Sequence, residues 1–262
     1  MRFERAHVVV FLSLLISLPL TAQQSSSPSI SAATLFQQSL IAQVGNTSIS
    51  DITLTGTARR IAGSSDESGS ATFQASANGS ARLTLNFPSG NTTEVANLFS
   101  TPSGTWSGPD SLSHSISFYN LITEPAWFSP SIALARRVSL TNYVATYVGH
   151  ETLNGEAVEH VSVSQLGADP PGGPTFAHLT QVDFYLDSTT LLPAALSFNV
   201  HPDNSANLDI PVQVFFSDYR SVSGIRVPFH VQKYLNNSPF LDLQIQSVTS
   251  NSGLTASAFT TN

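Results

Sequence analysis

The sequence contains no cysteine among its 262 residues. This absence excludes disulfides, Cys-based zinc sites, iron–sulfur clusters, a thiolate nucleophile and a lipidated N-terminal cysteine. A chain without disulfides must fold on its hydrophobic core alone. Apolar residues make up 41% of the chain, which is enough to form such a core.

Positive charge is also scarce. Ten residues are basic and seventeen are acidic, Lys233 is the only lysine, and the formal net charge is −7. A nucleic-acid-binding protein needs a basic patch to neutralise phosphates, and a polybasic membrane anchor needs clustered Lys and Arg. The composition excludes both modes of binding. Polarity comes instead from Ser and Thr, which fill roughly a quarter of the chain and exceed ordinary usage.

The N-terminus has the layout of a secretory signal peptide. Arg2 and Arg5 precede an apolar run over residues 8–20, and a polar stretch follows Ala22. The run is shorter than the roughly 20 apolar residues that a transmembrane helix needs. We predict cleavage after Ala22, with an uncleaved N-terminal anchor as the alternative.

The predicted organisation has three parts. Residues 1–22 form the signal peptide, residues 23–30 form a linker rich in Gln, Ser and Pro, and residues 31–262 form a single domain. The predicted localisation is exported, either periplasmic or secreted.

Hydrophobic periodicity predicts helices in two places. Apolar residues recur at helical spacing over residues 31–44, and Ser31 is a candidate N-cap. Two shorter helices are predicted over residues 115–122 and 131–137. We count about ten strands in the remaining chain, most of them apolar on one face and joined by short turns.

A sheet of this length curls because strands twist. Its apolar concave face must be covered, and the helices are the candidates. The predicted fold class is α+β, with a curved antiparallel sheet forming an unclosed β-barrel and helices on the concave side.

The C-terminal half contains a series of short motifs in a fixed order. They are Phe184-Tyr185-Leu186-Asp187, Leu192-Pro193, Phe216-Ser217-Asp218-Tyr219-Arg220, Gly224-Ile225 and Pro228-Phe229. Together they resemble the LolA/LolB-like periplasmic lipoprotein-carrier superfamily, in which a strand ending in Asp, a Leu-Pro start and a "DYR" hairpin follow in the same order. The resemblance covers residues 140–250 by motif and residues 31–138 by topology only.

The resemblance implies an unclosed β-barrel with an apolar cavity, which holds acyl chains in the carriers. The chain departs from the carriers at residues 81–85, where they have an "RPGxFR"-type strand, and it is longer than they are. It also lacks the N-terminal cysteine of the lipoprotein-anchored acceptor. A lipid-sized cavity is therefore a firmer expectation than a role in lipoprotein sorting.

Three neighbouring strands place apolar residues on the same inward face, and two aromatic residues lie in a Pro-interrupted segment. This set is the predicted cavity lining, with a core filled by the helices as the alternative. Arg220 and Arg226 are the predicted partners of a ligand head group. The predicted lining comprises Val212, Val214, Phe216, Ile225, Val227, Phe229, Leu241, Leu243, Ile245, Trp127 and Phe128.

The sequence predicts no catalytic residue, metal site or cofactor. His150 and His160 flank Asn154-Gly155. The Asn-Gly pair favours a two-residue turn, which pairs His150 with Glu159 and turns His160 to the other face, whereas a longer turn that includes Glu156 would place the two histidines opposite each other. Metal ligands must converge, and these diverge. The Gly-x-Ser-x-Gly motif of many hydrolases is absent.

We therefore predict an exported, non-enzymatic carrier or binder of an apolar or lipidic ligand, such as a lipid or a lipoprotein acyl chain. An envelope protein is a second predicted partner, for delivery. The alternatives are a structural or protein-interaction module of the cell envelope with a filled core, and an exported hydrolase. A large solvent-connected apolar pocket distinguishes the carrier from the module.

Overall fold

A computed structural model describes residues 31–139, 142–166 and 173–260. The predicted signal peptide and linker lie outside these residues. Within the described chain, no helix is both long enough and apolar enough to cross a membrane.

One antiparallel sheet organises the described residues. Its strand order is β6-β5-β4-β3-β2-β1-β13-β12-β11-β10-β9-β8-β7, so the first and last strands of the chain meet in the middle and the sheet stays open at both edges. The strands are β1 Asp51–Ala62, β2 Ser65–Ser76, β3 Ala81–Phe87, β4 Gly90–Asn97, β5 Ser103–Ser107, β6 Ser113–Ser115, β7 Tyr143–Leu153, β8 Glu156–Gln165, β9 Val182–Asp187, β10 Pro193–Val200, β11 Ile210–Val222, β12 Ile225–Leu235 and β13 Ser238–Ser250.

The predicted α+β fold with an unclosed antiparallel sheet is confirmed, although the count of about ten strands was too low. The thirteen strands of the described chain include β6, which has three exposed residues and no apolar alternation. The first half of β2 is likewise polar and pairs with β1 across a turn at Gly63, where φ is 61°. Neither segment has the pattern by which strands are recognised.

In strands such as β9, buried and exposed residues alternate, which is the pattern that the sequence predicts. In β9, Val182, Phe184 and Leu186 are fully buried, while the residues between them are partly exposed. Asn154 and Gly155 join β7 to β8 with φ angles of 51° and 89°, the signs that a type I′ turn requires. The predicted pairing of His150 with Glu159 is confirmed.

Four helices are described: α1 Ala32–Val44, α2 Phe118–Thr123, α3 Pro130–Ser139 and α4 Gly173–Leu179, followed by a 3-10 helix at Ala256–Phe259. The Ser31 side chain accepts a hydrogen bond from the Thr34 backbone N–H and caps α1 as predicted. Phe36 of α1 meets Phe184 of β9 edge-on, with 4.9 Å between ring centres. The helices thus cover the apolar face of the sheet, as expected.

Candidate ligand-binding site

The eleven residues predicted to line a cavity are all buried and belong to one apolar cluster. The cluster also contains Phe36 of α1 together with Ile132 and Leu134 of α3. Phe128 packs against Phe73 of β2, with 5.0 Å between ring centres. We call this cluster the packed core. The predicted lining residues therefore lie together on the face of the sheet that the helices cover.

Open space lies at one end of the packed core, where helices meet strand ends. A cavity of about 590 Å³, which we call the main cavity, is bounded by α2, α3, α4 and the ends of β2, β4 and β8. Its walls are mostly apolar. The apolar side chains are those of Ala77, Leu98, Pro102, Phe118, Ile122 and Phe176.

The main cavity is connected to solvent and has a polar end. Phe118 is 54% exposed at its edge. The polar lining consists of Asn78, Arg136, Ser139 and Gln165. The cavity volume lies within the range of roughly 300–1,000 Å³ that is usual for small-molecule sites.

Arg136 is the charged residue that lines the main cavity. Its side chain is buried, with 5% of the residue exposed. Nη2 donates a hydrogen bond to the Ile122 carbonyl oxygen at 3.3 Å, but Nε and Nη1 have no partner among the described residues. Burial lowers the pKa of Arg136 from its ordinary value. The guanidinium is therefore desolvated without being fully hydrogen-bonded.

Arg137, the next residue of α3, has a different environment. It forms a buried salt bridge with Glu124, whose side chain is fully enclosed. Its guanidinium also donates to the carbonyl oxygens of Ala133 at 3.0 Å and Thr123 at 3.2 Å. It lies 5.2 Å above the centre of the Phe184 ring. Arg137 is thus compensated by charge, by backbone acceptors and by an aromatic face, although its Nε and Glu124 Oε1 have no partner among the described residues.

Two further cavities adjoin the packed core. One of about 370 Å³ is lined by Phe36, Arg137 and Tyr143 among others. Another of about 190 Å³ contains Glu94, Trp127 and Lys233. The ammonium of Lys233 lies 4.3 Å from the centre of the Trp127 ring, and burial lowers the pKa of this lysine.

The two predicted head-group residues are not brought together with the main cavity lining. Arg220 is exposed, pairs with Asp218, and lies 4.4 Å above the Phe229 ring. It is opposite Val227 in the β11–β12 ladder, at the rim of the apolar face. Arg226 is exposed on β12. Their role in head-group binding stays a prediction.

A Ser–His–Asp arrangement occurs on the outer face of the sheet. Ser217 Oγ lies 3.2 Å from His230 Nδ1, and His230 Nε2 lies 3.1 Å from Asp242 Oδ1. The three residues are on neighbouring strands β11, β12 and β13, and none of them lines the cavities described above.

The histidines near the β7–β8 turn contact different carboxylates. His150 Nδ1 lies 2.9 Å from Glu159, whereas His160 lies 2.8 Å from Glu151 and 3.3 Å from Asp183. Among the described residues, no group of three or more His, Asp or Glu side chains is arranged to hold a metal ion.

Comparison with solved structures relates the whole described architecture to known proteins. A domain from Vibrio parahaemolyticus described as outer membrane lipoprotein-sorting aligns with a TM-score of 0.54 at 12% identity, over 87% of this chain and 95% of the other. A LolA superfamily protein from Nitrosomonas europaea aligns with a TM-score of 0.56 at 10% identity, over 89% and 99%.

The chain has a LolA-like fold. A DUF1329 family protein from Desulfovibrio piger shares this fold, with a TM-score of 0.52 at 13% identity over 87% of this chain and 97% of the other. No protein-family model matches the chain, and no curated protein matches it either. At these identities the likeness establishes the LolA-like fold, and function has to be argued from the site.

The main cavity was not predicted from the sequence, although two of its features are visible there. Arg136 lies in the last turn of a predicted helix, where a cation complements the helix dipole and indicates no ligand by itself. The Asn78-Gly79 pair is typical of a hairpin turn and gives no indication of a site. The lining residues come from short segments without periodicity, so no pattern in the sequence groups them.

Proposed function

We propose that the protein is an exported, non-enzymatic carrier or binder of an apolar or lipidic ligand held between the sheet and the helices. The observation that carries this proposal is the main cavity, which is apolar, solvent-connected and about 590 Å³ in volume. A protein-interaction module with a filled core does not require an apolar, solvent-connected space of this volume.

The LolA-like fold supports the same assignment. One of the aligned structures is described as lipoprotein-sorting, and another as a LolA superfamily protein. These proteins are similar in length to this chain, because the alignments cover most of both chains. Export is supported by the signal-peptide layout of residues 1–22.

A non-enzymatic role fits the chemistry of the main cavity. Its polar residues are an arginine, a serine and two side-chain amides. General acid–base catalysis needs a group that exchanges a proton near neutral pH, and none of these side chains does so. Binding and release of a ligand requires no such group.

Ligand uptake by a variant whose main cavity is filled, compared with uptake by the wild-type protein, tests this proposal. Leu98→Trp places a large ring in the main cavity, whereas Leu112→Trp makes the same change at a residue that is 60% exposed. We expect the wild-type protein and Leu112→Trp to take up palmitic acid or a phosphatidylethanolamine. Leu98→Trp should bind at least about tenfold more weakly, since it loses more than ~1.4 kcal/mol of binding free energy.

Circular dichroism confirms that both variants are folded before the comparison. Absence of uptake by folded wild-type protein would contradict the carrier and favour a protein-interaction module. Equal uptake by both variants would show that the ligand lies elsewhere than in the main cavity.

A further inference from the structure

We propose that Arg136 binds the anionic head group, a carboxylate or a phosphate, of an acyl-chain ligand whose chain lies along the apolar wall of the main cavity. This inference rests on the proposed function and deepens it by naming the ligand class.

The first argument is the unmet hydrogen-bonding capacity of Arg136. A guanidinium is a rigid fork of N–H donors that suits the paired oxygens of a carboxylate or phosphate. Only Nη2 is engaged in the described chain, by the Ile122 carbonyl oxygen, while Nε and Nη1 are buried without a partner. A side-on pair consists of Nε and Nη2, as Arg59 shows with Asp66, so an anion bound in this way would use Nε together with the second N–H of Nη2. Buried polar groups are normally satisfied, so these two donors indicate a missing acceptor.

The second argument is the charge balance around α3. Glu124 forms its salt bridge with Arg137, and no carboxylate of the described residues lies within ion-pairing distance of Arg136. Burial has the largest effect on the pKa of Arg136 and lowers it, the positive charge of Arg137 also lowers it, and Tyr143 and Glu124 do not offset these effects. One positive charge at the polar end of the main cavity is therefore left uncompensated, and an anionic ligand would neutralise it.

The third argument is the shape of the surrounding chain. Arg136 lies against Gly79 in the turn between β2 and β3, where φ is +91°. A Cβ atom at Gly79 would come within 2.7 Å of Arg136 Cδ and 3.0 Å of Nε. The glycine therefore leaves the space in which the guanidinium lies, and the turn holds this side chain at the cavity wall.

A purely structural role accounts poorly for this arrangement. A cation in the last turn of a helix stabilises the helix by bonding its terminal carbonyl groups. Arg136 instead donates to Ile122 of α2, in a single bond of 3.3 Å. Arg137 has the structural contacts that Arg136 lacks.

The test compares ligands that differ only in the head group. Palmitic acid and hexadecyl phosphate carry the anion and the chain, hexadecanol carries the chain alone, and inorganic phosphate carries the anion alone. We expect the wild-type protein to bind the two anionic amphiphiles at least about tenfold more tightly than hexadecanol, and inorganic phosphate much more weakly.

Arg136→Met removes the charge while retaining much of the side-chain volume. It should bind palmitic acid and hexadecyl phosphate at least about tenfold more weakly and leave hexadecanol binding unchanged. Its melting temperature should stay the same or rise by a few degrees, because an uncompensated buried charge is removed. Arg59→Met is the matched control, since Arg59 is exposed and pairs with Asp66. It should retain the preference for the acid.

The outcomes separate the two proposals. If hexadecanol binds as tightly as palmitic acid and Arg136→Met changes neither, the head-group inference is wrong while the carrier stands. If inorganic phosphate binds as tightly as hexadecyl phosphate, the site recognises a free anion and the acyl chain plays no part. If none of the amphiphiles binds to folded protein, the carrier proposal itself is wrong.

Discussion

Two regions lie next to helix α3, and they differ in how closely their side chains are packed. On one side is the packed core, where Phe128 meets Phe73 and Arg137 is paired with buried Glu124. On the other side is the main cavity, with Arg136 and its two unpartnered donors. The adjacent arginines therefore differ in their partners: Arg137 has a buried counter-charge and backbone acceptors, whereas Arg136 has one hydrogen bond and no counter-charge among the described residues. The comparison shows that the close-packed part of the molecule and the proposed ligand site are distinct.

The largest expected effect comes from the packed core. Phe128→Ala should lower the free energy of unfolding by about 4 kcal/mol, because a fully buried ring is replaced by a cavity. Urea denaturation measures the change. Phe118→Ala, at the exposed edge of the main cavity, is the matched control and should cost less than about 1 kcal/mol. Equal losses would mean that the two regions are packed alike.

The salt bridge between Glu124 and Arg137 is expected to give the next largest change in the free energy of unfolding. Glu124→Ala leaves Arg137 buried without its counter-charge and should cost about 3 kcal/mol in urea denaturation. The double variant Glu124→Ala with Arg137→Met should recover part of the loss, since the isolated charge is then gone. A double variant as unstable as the sum of the single ones would show that the pair is not coupled.

Asp51 provides a reference for a buried charge that is fully hydrogen-bonded. Burial would raise the pKa of its carboxyl, but this is outweighed by hydrogen bonds from Ser252, Ser50 and the Gly253 backbone, and the pKa is lowered. A lowered pKa means stability that is present above the unfolded-state value of about 3.9 and is lost as pH falls through the folded-state value.

Asp51→Asn should therefore lower the free energy of unfolding by about 1–2 kcal/mol at neutral pH. The difference from the wild-type protein should shrink as the pH falls below about 4. Unfolding curves recorded between neutral and acidic pH measure it. A difference that is independent of pH would contradict the role given to the ionised carboxylate.

The smallest expected change in stability is that of Arg136→Met. The free energy of unfolding should stay equal to the wild-type value or rise by up to about 1 kcal/mol, because removal of an unpaired buried charge offsets the loss of one hydrogen bond. Arg137→Met, made as the matched variant, should be destabilising because it leaves Glu124 buried without its salt-bridge partner. Similar losses from the two variants would remove the contrast between the arginines.

Much of the fold could be predicted from local patterns. The helix that begins after Ser31, the alternating burial of Val182, Phe184 and Leu186, and the pairing of His150 with Glu159 all follow from periodicity or turn chemistry. Motifs in the C-terminal half also indicated the LolA-like fold. These features depend on residues that are close together in sequence.

The candidate site could not be predicted in the same way. Its walls come from α2, α3, α4 and strand ends that lie far apart along the chain. Helix α4 is short and directly follows a Pro- and Gly-rich stretch, so its sequence carries no helical stripe. Whether Arg136 faces solvent or a cavity depends on the turn at Gly79, which only the tertiary structure brings against it.

Native mass spectrometry of the mature protein, purified without detergent, tests the central claim most directly. The account predicts a stoichiometric adduct of lipid-like mass that carries an acidic head group after organic extraction. The same preparation of Arg136→Met should lose most of that adduct. A clean mass without an adduct, together with no uptake of added palmitic acid or phospholipid, would contradict the claim that the main cavity holds a lipidic ligand.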